Sequence, residues 1–309
     1  MTLGDCYNVT AFTLLGLFDD PELQFPVCVL LIFTYIIIFW GNFTIIALFS
    51  TDSHLRSPMY IFLFNLSITD IASSSNILPK LFNMLFTKYN MISFAGCITQ
   101  MYFFVTLVVT ELMLLTAMAY DRYVAICHPL NYIVVMSLRY CVILSIASWI
   151  VGFLDSVAYA VIISNMYFWS DRPIDHFFCD LSPLLIIACS DISMVEMINY
   201  IEGVLVAFSS FLLILVSYIY IISNILKIKS AEGKHKAFST CTSHITCVII
   251  YYGTMICLHI KPTSSYYPKL DKLFALVYVV LVPMLNPFIY CLKNKEVKKS
   301  LFSLKSKLF

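Results

Sequence analysis

Read from its N-terminus, the chain alternates long apolar runs with short polar ones. Seven runs reach the roughly 20 residues that a helix needs to cross a bilayer. They cover approximately residues 26–49, 59–82, 97–120, 141–163, 197–222, 237–260 and 270–291. The polar links between them are too short for a separate soluble domain. The pattern therefore predicts an all-α membrane protein: one seven-transmembrane helix bundle over residues 1–309, with an N-terminal segment over 1–25 and a tail over 292–309. Composition strengthens this reading, since 61% of residues are hydrophobic, only 12% are charged and the mean hydropathy is +0.88.

The charges set the expected orientation. Residues 1–25 hold four acids and no Lys or Arg, so they lack the basic start of a cleavable signal peptide, and the first helix is expected to serve as the insertion signal. Of the 19 Lys and Arg residues, 13 fall on one side of the bundle: Arg56, Arg122, Arg139, four lysines over 227–236 and six over 293–307. Basic flanks stay cytoplasmic, which places the N-terminus outside and the C-terminus inside. For any single lysine, contact with anionic lipid is the simpler reading. On this topology Asn8 of the sequon Asn8-Val9-Thr10 is a glycosylation site, while the sequons at Asn42 and Asn65 lie inside helices and stay bare.

Eleven cysteines cannot be paired by count, so position decides. Seven sit in helices or at the cytoplasmic side and are expected as buried or reduced thiols. Cys6, Cys97, Cys179 and Cys189 face oxidising solution, and a bond between Cys97 and Cys179 would pin the long loop over about 164–196 across the bundle mouth.

Charges at membrane depth are costly and mark function. Asp70 and Glu111 lie near mid-span on the second and third helices, with Asn42, Ser67 and Asn286 at similar depth. Two carboxylates meeting without a counter-ion call for a bound cation, sodium being the one expected, or a shared proton; the plainer reading is a protonated pair that holds helices together. Asp155 and Glu202 lie nearer the outer half, at the depth of a watery vestibule. Helical spacing puts Cys97, Phe104, Val108, Glu111, Leu115, Met118 and Arg122 on one stripe of the third helix. That stripe runs roughly 38 Å at helical rise and joins the outer loop to the cytoplasmic end. Pro287, after Asn286, frees backbone carbonyls and predicts a kink in the seventh helix. Tyr218 and Tyr290 stand at about the depth of Arg122.

These residues fall into runs that resemble the rhodopsin-like, class A G-protein-coupled receptors, and within them the olfactory receptors. The general marks are Gly41-Asn42, Asp70, Cys97, Asp121-Arg122-Tyr123, Trp149 and Asn286-Pro287 through Tyr290. The olfactory marks are LRSPMYIFLFNLSITD (55–70), MAYDRYVAICHPLNY (118–132), Ser217-Tyr218, KAFSTCTSH (236–244) and PMLNPFIY (283–290), and IDHFFCD (174–180) is similar to the tetrapod-type, class II subfamily. The resemblance implies the Cys97–Cys179 bond. It also implies a second pair within the outer loop, but Trp169 stands where the partner of Cys189 is usual. A free Cys189 is expected ahead of a bond to Cys6, because a chance partner must also satisfy disulfide geometry.

The resemblance further implies small odorants bound in the outer half of the bundle. The lining carried over is Phe104, Val105, Val108 and Val109 on the third helix, Glu202 and Val206 on the fifth, Tyr252, Met255, Ile256 and His259 on the sixth, and Leu276 and Val279 on the seventh. Most of these are apolar, so shape dominates. Glu202 and His259 favour an alcohol, amine or carbonyl group if they face the cavity, or else satisfy each other. Tyr252 in YYG is the implied activation hinge. Arg122 is implied to stay with Asp121 at rest and to turn toward Tyr218, Tyr290 and the G protein on activation, with Ile126 and Pro129-Leu130 docking on a stimulatory olfactory-type α subunit and Cys127 and His128 as plain loop. Cyclic AMP then rises, at the plasma membrane and in cilia of olfactory neurons.

No nucleotide loop, metal-ligand spacing or paired nucleophile appears, so no enzyme, cofactor or nucleic-acid partner is expected; Ser239 and His244 belong to the KAFSTCTSH motif. A transporter would carry repeated halves or paired broken helices, and neither is present in the sequence. A chemosensory receptor acting outside the olfactory epithelium is the alternative role.

Overall fold

The seven apolar runs coincide with seven helical spans in a computed structural model that describes residues 6–7, 9–18, 21–52, 57–259, 267–291 and 297. The spans are α1 (Pro21–Thr51), α2 (Pro58–Thr87), α3 (Phe94–Cys127), α5 (Leu138–Ser164), a fifth span of α7 (Ser193–Glu202) and α8 (Ser209–Lys227), α9 (Ala231–His259), and a seventh of α10 (Pro268–Leu276) and α11 (Val282–Cys291). Short helices α4 (Tyr132–Val135) and α6 (Leu181–Ile186) lie in the connections. Most helices overshoot their apolar run, because local capping rather than hydropathy sets where they stop. The Ser93 hydroxyl accepts the Gly96 N–H at 3.1 Å to start α3. Pro58 opens α2 after an extended Ser57, and Lys88 closes it in the left-handed region at φ 55°.

Among the described residues, six of these spans are long and apolar enough to cross a membrane, and α9 carries the shorter apolar stretch His244–Cys257. Helix α3 is the hub, packed on α2, α5 and α8. The stripe expected on it is real, with Cys97, Phe104, Val108, Glu111, Leu115 and Met118 all at most 5% exposed. Large apolar side chains such as Phe33, Leu154 and Leu213 point outward instead, as lipid-facing residues do.

Two departures from plain α-helix were not foreseen. The fifth span widens into a π-helix over Gly203–Phe208, and the seventh over Val277–Leu281. The prolines that follow the second of these have specific partners. Pro283 and Pro287 cannot donate to the carbonyls four residues back, Val279 and Pro283. Ser74 Oγ donates to the first at 2.9 Å and Asn42 Nδ2 to the second at 3.1 Å. The carbonyls that proline frees are thus taken up by polar side chains of α2 and α1.

One end of the bundle is closed by two small antiparallel sheets. Strand β1 (Cys6–Tyr7) pairs with β4 (Phe168–Trp169), and β2 (Ala11–Thr13) with β3 (Met91–Ser93). Phe12 packs on Phe94 and Phe168 at ring separations of 5.8 and 5.3 Å, beneath the loop that carries Cys179. Cys97 and Cys179 are bonded, and Gln100 Oε1 accepts the Cys179 N–H at 2.9 Å, so α3 holds the loop twice.

The expectation of a free Cys189 is wrong, because Cys189 is bonded to Cys6. The ladder explains it. Cys6 lies directly opposite Trp169, the position of the missing cysteine, and the Cys189 N–H donates to Tyr167 O at 2.8 Å alongside. A partner one strand away replaces the one within the loop. Cys6→Ser and Cys189→Ser are each expected to lower surface expression by a similar amount, and the double variant to fall no further than either single one. Additive losses, read by surface labelling of intact cells, would argue that the two thiols act separately.

His176, three residues before Cys179, is 1% exposed and stacks on Phe177 at 4.7 Å. Burial, with the nearby Lys272 ammonium adding to it, holds the imidazole down to about 3. Lys272 itself bonds Asp175 at 2.7 Å and ties the loop to α10. A histidine buried in its neutral form contributes stability that is complete above its ordinary value near 6.5 and is lost as pH falls below it. Each pH unit lost there costs about 1.4 kcal/mol, down to the folded-state value. The melting temperature of the purified protein is expected to drop between pH 7.4 and about 5.5, and His176→Phe to flatten that dependence; an unchanged slope would remove His176 as its source.

Candidate functional site

A cavity opens beneath the pinned loop, between α3, α5, the fifth span and α9, with an empty volume of about 840 Å³ that includes the part open to solvent. Its roof is Asp180 and Leu181, immediately after the disulfide-bonded Cys179. Phe104, Val105 and Val108 form the α3 wall; Tyr252, Met255 and Ile256 the α9 wall; and Asn199, Glu202, Gly203, Ala207, Phe208 and Phe211 the fifth-span wall.

Seven of the twelve residues carried over onto this site line it: Phe104, Val105, Val108, Glu202, Tyr252, Met255 and Ile256. Four do not. Val109 is fully buried one turn deeper than Val105. Val206 gives way to Ala207 because the π-helix has more residues per turn, which moves the cavity face from the third or fourth residue after Glu202 to the fifth and sixth, Ala207 and Phe208. Leu276 packs on the main core and Val279 is fully buried, its backbone carbonyl held by Ser74 of α2. The seventh span reaches the site indirectly, through Tyr278, whose ring stands edge-on to Phe104 at 5.6 Å. The His259 side chain, like that of Tyr290, and the whole of Asn8 lie outside the described residues.

Tyr159 is a lining residue that was not among those carried over. This phenol lines the cavity from α5 and donates a hydrogen bond to Glu202 Oε2. The signal was available in the i, i+4 spacing of Asp155 and Tyr159, which puts both on one face of α5. Glu202 is satisfied by Tyr159 and stands against the carboxyl of Asp155.

Below the cavity a polar layer crosses the bundle. Tyr252 hydrogen-bonds Ser210 at 2.7 Å. Tyr251 donates to Val108 O at 2.6 Å and its ring packs on Tyr278 at 5.5 Å. Tyr278 in turn donates to Glu111 at 2.9 Å. Asp70 takes both oxygens' bonds from Asn286 Nδ2 at 3.0 Å, and Asn286 Oδ1 accepts from Cys247 at 3.3 Å. Asp70 and Glu111 are 1% and 3% exposed and close enough to act on each other electrostatically. No group of three or more His, Cys, Asp or Glu side chains suited to a metal ion occurs among the described residues.

At the opposite end, Asp121 and Arg122 do not form an ion pair among the described residues. Asp121 accepts from Tyr132 OH at 2.8 Å, and the Arg122 guanidinium rests on the Met59 sulfur. Adjacent residues on a helix point about 100° apart, so each finds its own partner. Tyr218 OH bonds His244 Nδ1 at 2.7 Å and so joins α8 to α9, with Arg122 near enough to influence both. Tyr123 bonds His128 at 3.1 Å and Cys127 accepts from Asn224 at 3.1 Å, so neither Cys127 nor His128 is plain loop. Ile126 packs against the core, whereas Leu130, Ile133 and Val134 are 96%, 83% and 81% exposed.

Residues 31–307 match the family model described as olfactory receptor. The chain belongs to the olfactory receptor family. It is 45% identical to human olfactory receptor 1C1 over 293 residues, covering 95% of this chain and 93% of that one. Human olfactory receptor 5B21 is 42% identical over 302 residues, 98% and 97% of the two chains. Chicken olfactory receptor-like protein COR4 is 44% identical over 301 residues, 97% and 96%. Olfactory receptors are multi-pass membrane receptors and not enzymes. The Trp149 indole, which donates to Asn65 Oδ1 at 3.0 Å, and the Asn42 carbonyl cap are the family marks whose purpose the geometry makes plainest.

Proposed function

We propose that this chain is an odorant receptor that binds a small odorant in the cavity and responds by activating a stimulatory, olfactory-type G protein, which raises cyclic AMP. One observation carries the reading: an apolar cavity with few polar groups, in a chain of this family, whose α9 wall includes Tyr252. A site of that character suits a small organic molecule recognised mainly by shape.

The coupling follows from the layer beneath. Tyr252 faces the ligand and bonds Ser210, while its neighbour Tyr251 bonds α3 and packs on Tyr278. A ligand that prefers a different packing of Tyr252 therefore biases α9 against α3 and α8, and only that difference in affinity can shift the population. At the far end the Tyr218–His244 bond holds α8 to α9, and its opening exposes Arg122 to the G protein beside Ile126 and Pro129-Leu130. Asp70 and Glu111 hold a shared proton or a sodium ion between them, because the groups bonded to them, Asn286 and Tyr278, are neutral.

In this reading the strand-bearing end faces outside the cell, with Asn8 glycosylated, and the Arg122 end faces the cytoplasm at the ciliary membrane. The test is a cyclic AMP reporter screen of the surface-expressed receptor against a broad odorant panel. A response to some odorant that vanishes without the G protein is expected, and silence across the panel with the receptor at the surface sinks the reading.

A further inference from the structure

Resting on the cavity as the odorant site, the geometry points to a ligand class: we propose that this receptor selects small primary amines, bound as ammonium ions against the carboxyl of Glu202. Glu202 is on the cavity wall and its position is fixed from α5, where Tyr159 donates to Oε2. One helical turn before Tyr159, Asp155 presents a second carboxyl to the first. The Asp155 Oδ2 atom is buried, and the partner its carboxyl meets is Glu202. Two carboxyls in contact hold one proton between them and one negative charge.

Among the described residues of the wall, nothing neutralises that charge: none of the lining side chains is Lys, Arg or His, and most are apolar. A buried charge without a partner is costly, so the empty site favours whatever cation can enter. A primary ammonium supplies three donors and no acceptor, and its charge balances the pair. An alcohol of the same skeleton brings one donor and no charge, and a carboxylic acid brings a second negative charge to an acidic wall. The alkyl or aryl tail packs on Phe104, Phe208, Phe211 and Tyr252, the aromatic faces also favouring a nearby cation. Ligand class is thus set by a pair on two different spans, and the widened turn that begins at Gly203 lets the cavity run on past Glu202 to Ala207.

The probes are two matched sets, hexylamine with hexanol and hexanoic acid, and phenethylamine with phenethyl alcohol and phenylacetic acid. Each is titrated on the full-length receptor in cyclic AMP reporter cells with surface labelling in parallel. The amines are expected at EC50 values at least about tenfold below the alcohols, the scale of one charge-assisted bond, with the acids inactive. Glu202→Gln keeps the shape and is expected to raise the amine EC50 by about tenfold or more while moving an alcohol's less than about threefold. Asp155→Asn leaves Glu202 in place to carry the single charge alone, and is expected to leave the amine EC50 within about threefold. Should either variant stay inside the cell, the amine-to-alcohol ratio of the unaltered receptor decides alone. Equal potency of amine and alcohol, an unmoved amine EC50 in surface-expressed Glu202→Gln, or silence to all six probes by a receptor that answers other odorants overturns the proposal and leaves the cavity reading standing. Silence to every odorant class is the separate failure of that reading.

Discussion

Gly152→Ala is expected to strip most of the receptor from the cell surface, although the same exchange in an open helix ordinarily stabilises it by about 1 kcal/mol. The reversal of sign comes from the contact between α3 and α5. A Cβ at Gly152 meets Thr110 Oγ1 at 2.3 Å and the backbone carbonyl of Thr106 at 2.5 Å. The first can rotate, but the second cannot, so the helices must part. Parting them breaks the Thr106–Ser156 hydroxyl bond of 2.7 Å, one turn along the same seam. Small residues let helices approach closely in lipid, where no hydrophobic force drives them together, and overpacking such a seam costs about 1–3 kcal/mol. That is a large share of the stability of an ordinary domain. The seam also carries the cavity, since Val105 stands on α3 and Tyr159 on α5. Flow cytometry of surface against total receptor is the measurement, with Gly253→Ala beside it as a helix glycine whose added Cβ meets nothing within 4 Å. Equal surface levels for the two variants would mean that α3 and α5 yield more easily than a backbone contact suggests.

The sequence announced the spans because lipid demands about 20 apolar residues whatever the tertiary structure, and it announced the polar layer because charges at that depth are rare. It could not announce Ala207 in place of Val206, since a π-turn costs no special residue type and shifts the facing side by one position. Leu276 and Val279 failed for a related reason: the seventh span widens there and its carbonyl is drawn to Ser74. The Cys6–Cys189 bond ranked behind a free thiol because it depends on a two-residue strand far from the loop in sequence, whereas Trp169, the residue that makes it necessary, was legible at once. Gly152 carries no motif at all, and only a measured approach of another helix reveals why it is small.

Arg122→Ala is expected to abolish the cyclic AMP response while leaving surface expression near the unaltered level. The two halves of that expectation have different physical grounds. Arg122 rests on a sulfur, a weak partner, and Asp121, on which it acts electrostatically without an ion-pair contact, keeps its own bond to Tyr132 when the guanidinium is gone. The resting bundle therefore loses little. The open arrangement loses more, because there the guanidinium is expected to bond Tyr218 once that hydroxyl leaves His244, and to meet the G protein. Hydrogen bonds to a charged group contribute about 1.5–3 kcal/mol each, so two lost from the open state alone reduce its population by two orders of magnitude or more, roughly. Because only interactions that differ between states shift the balance, this asymmetry makes signalling fail before folding does. Arg122→Lys sharpens the point: it keeps the charge but not the planar five-donor fork, and is expected to stay well below the unaltered receptor. A full response from either variant at matched surface levels would show that Tyr218 and the G protein are engaged by another group, and the Tyr218–His244 contact would then be a packing bond between α8 and α9 without a part in signalling.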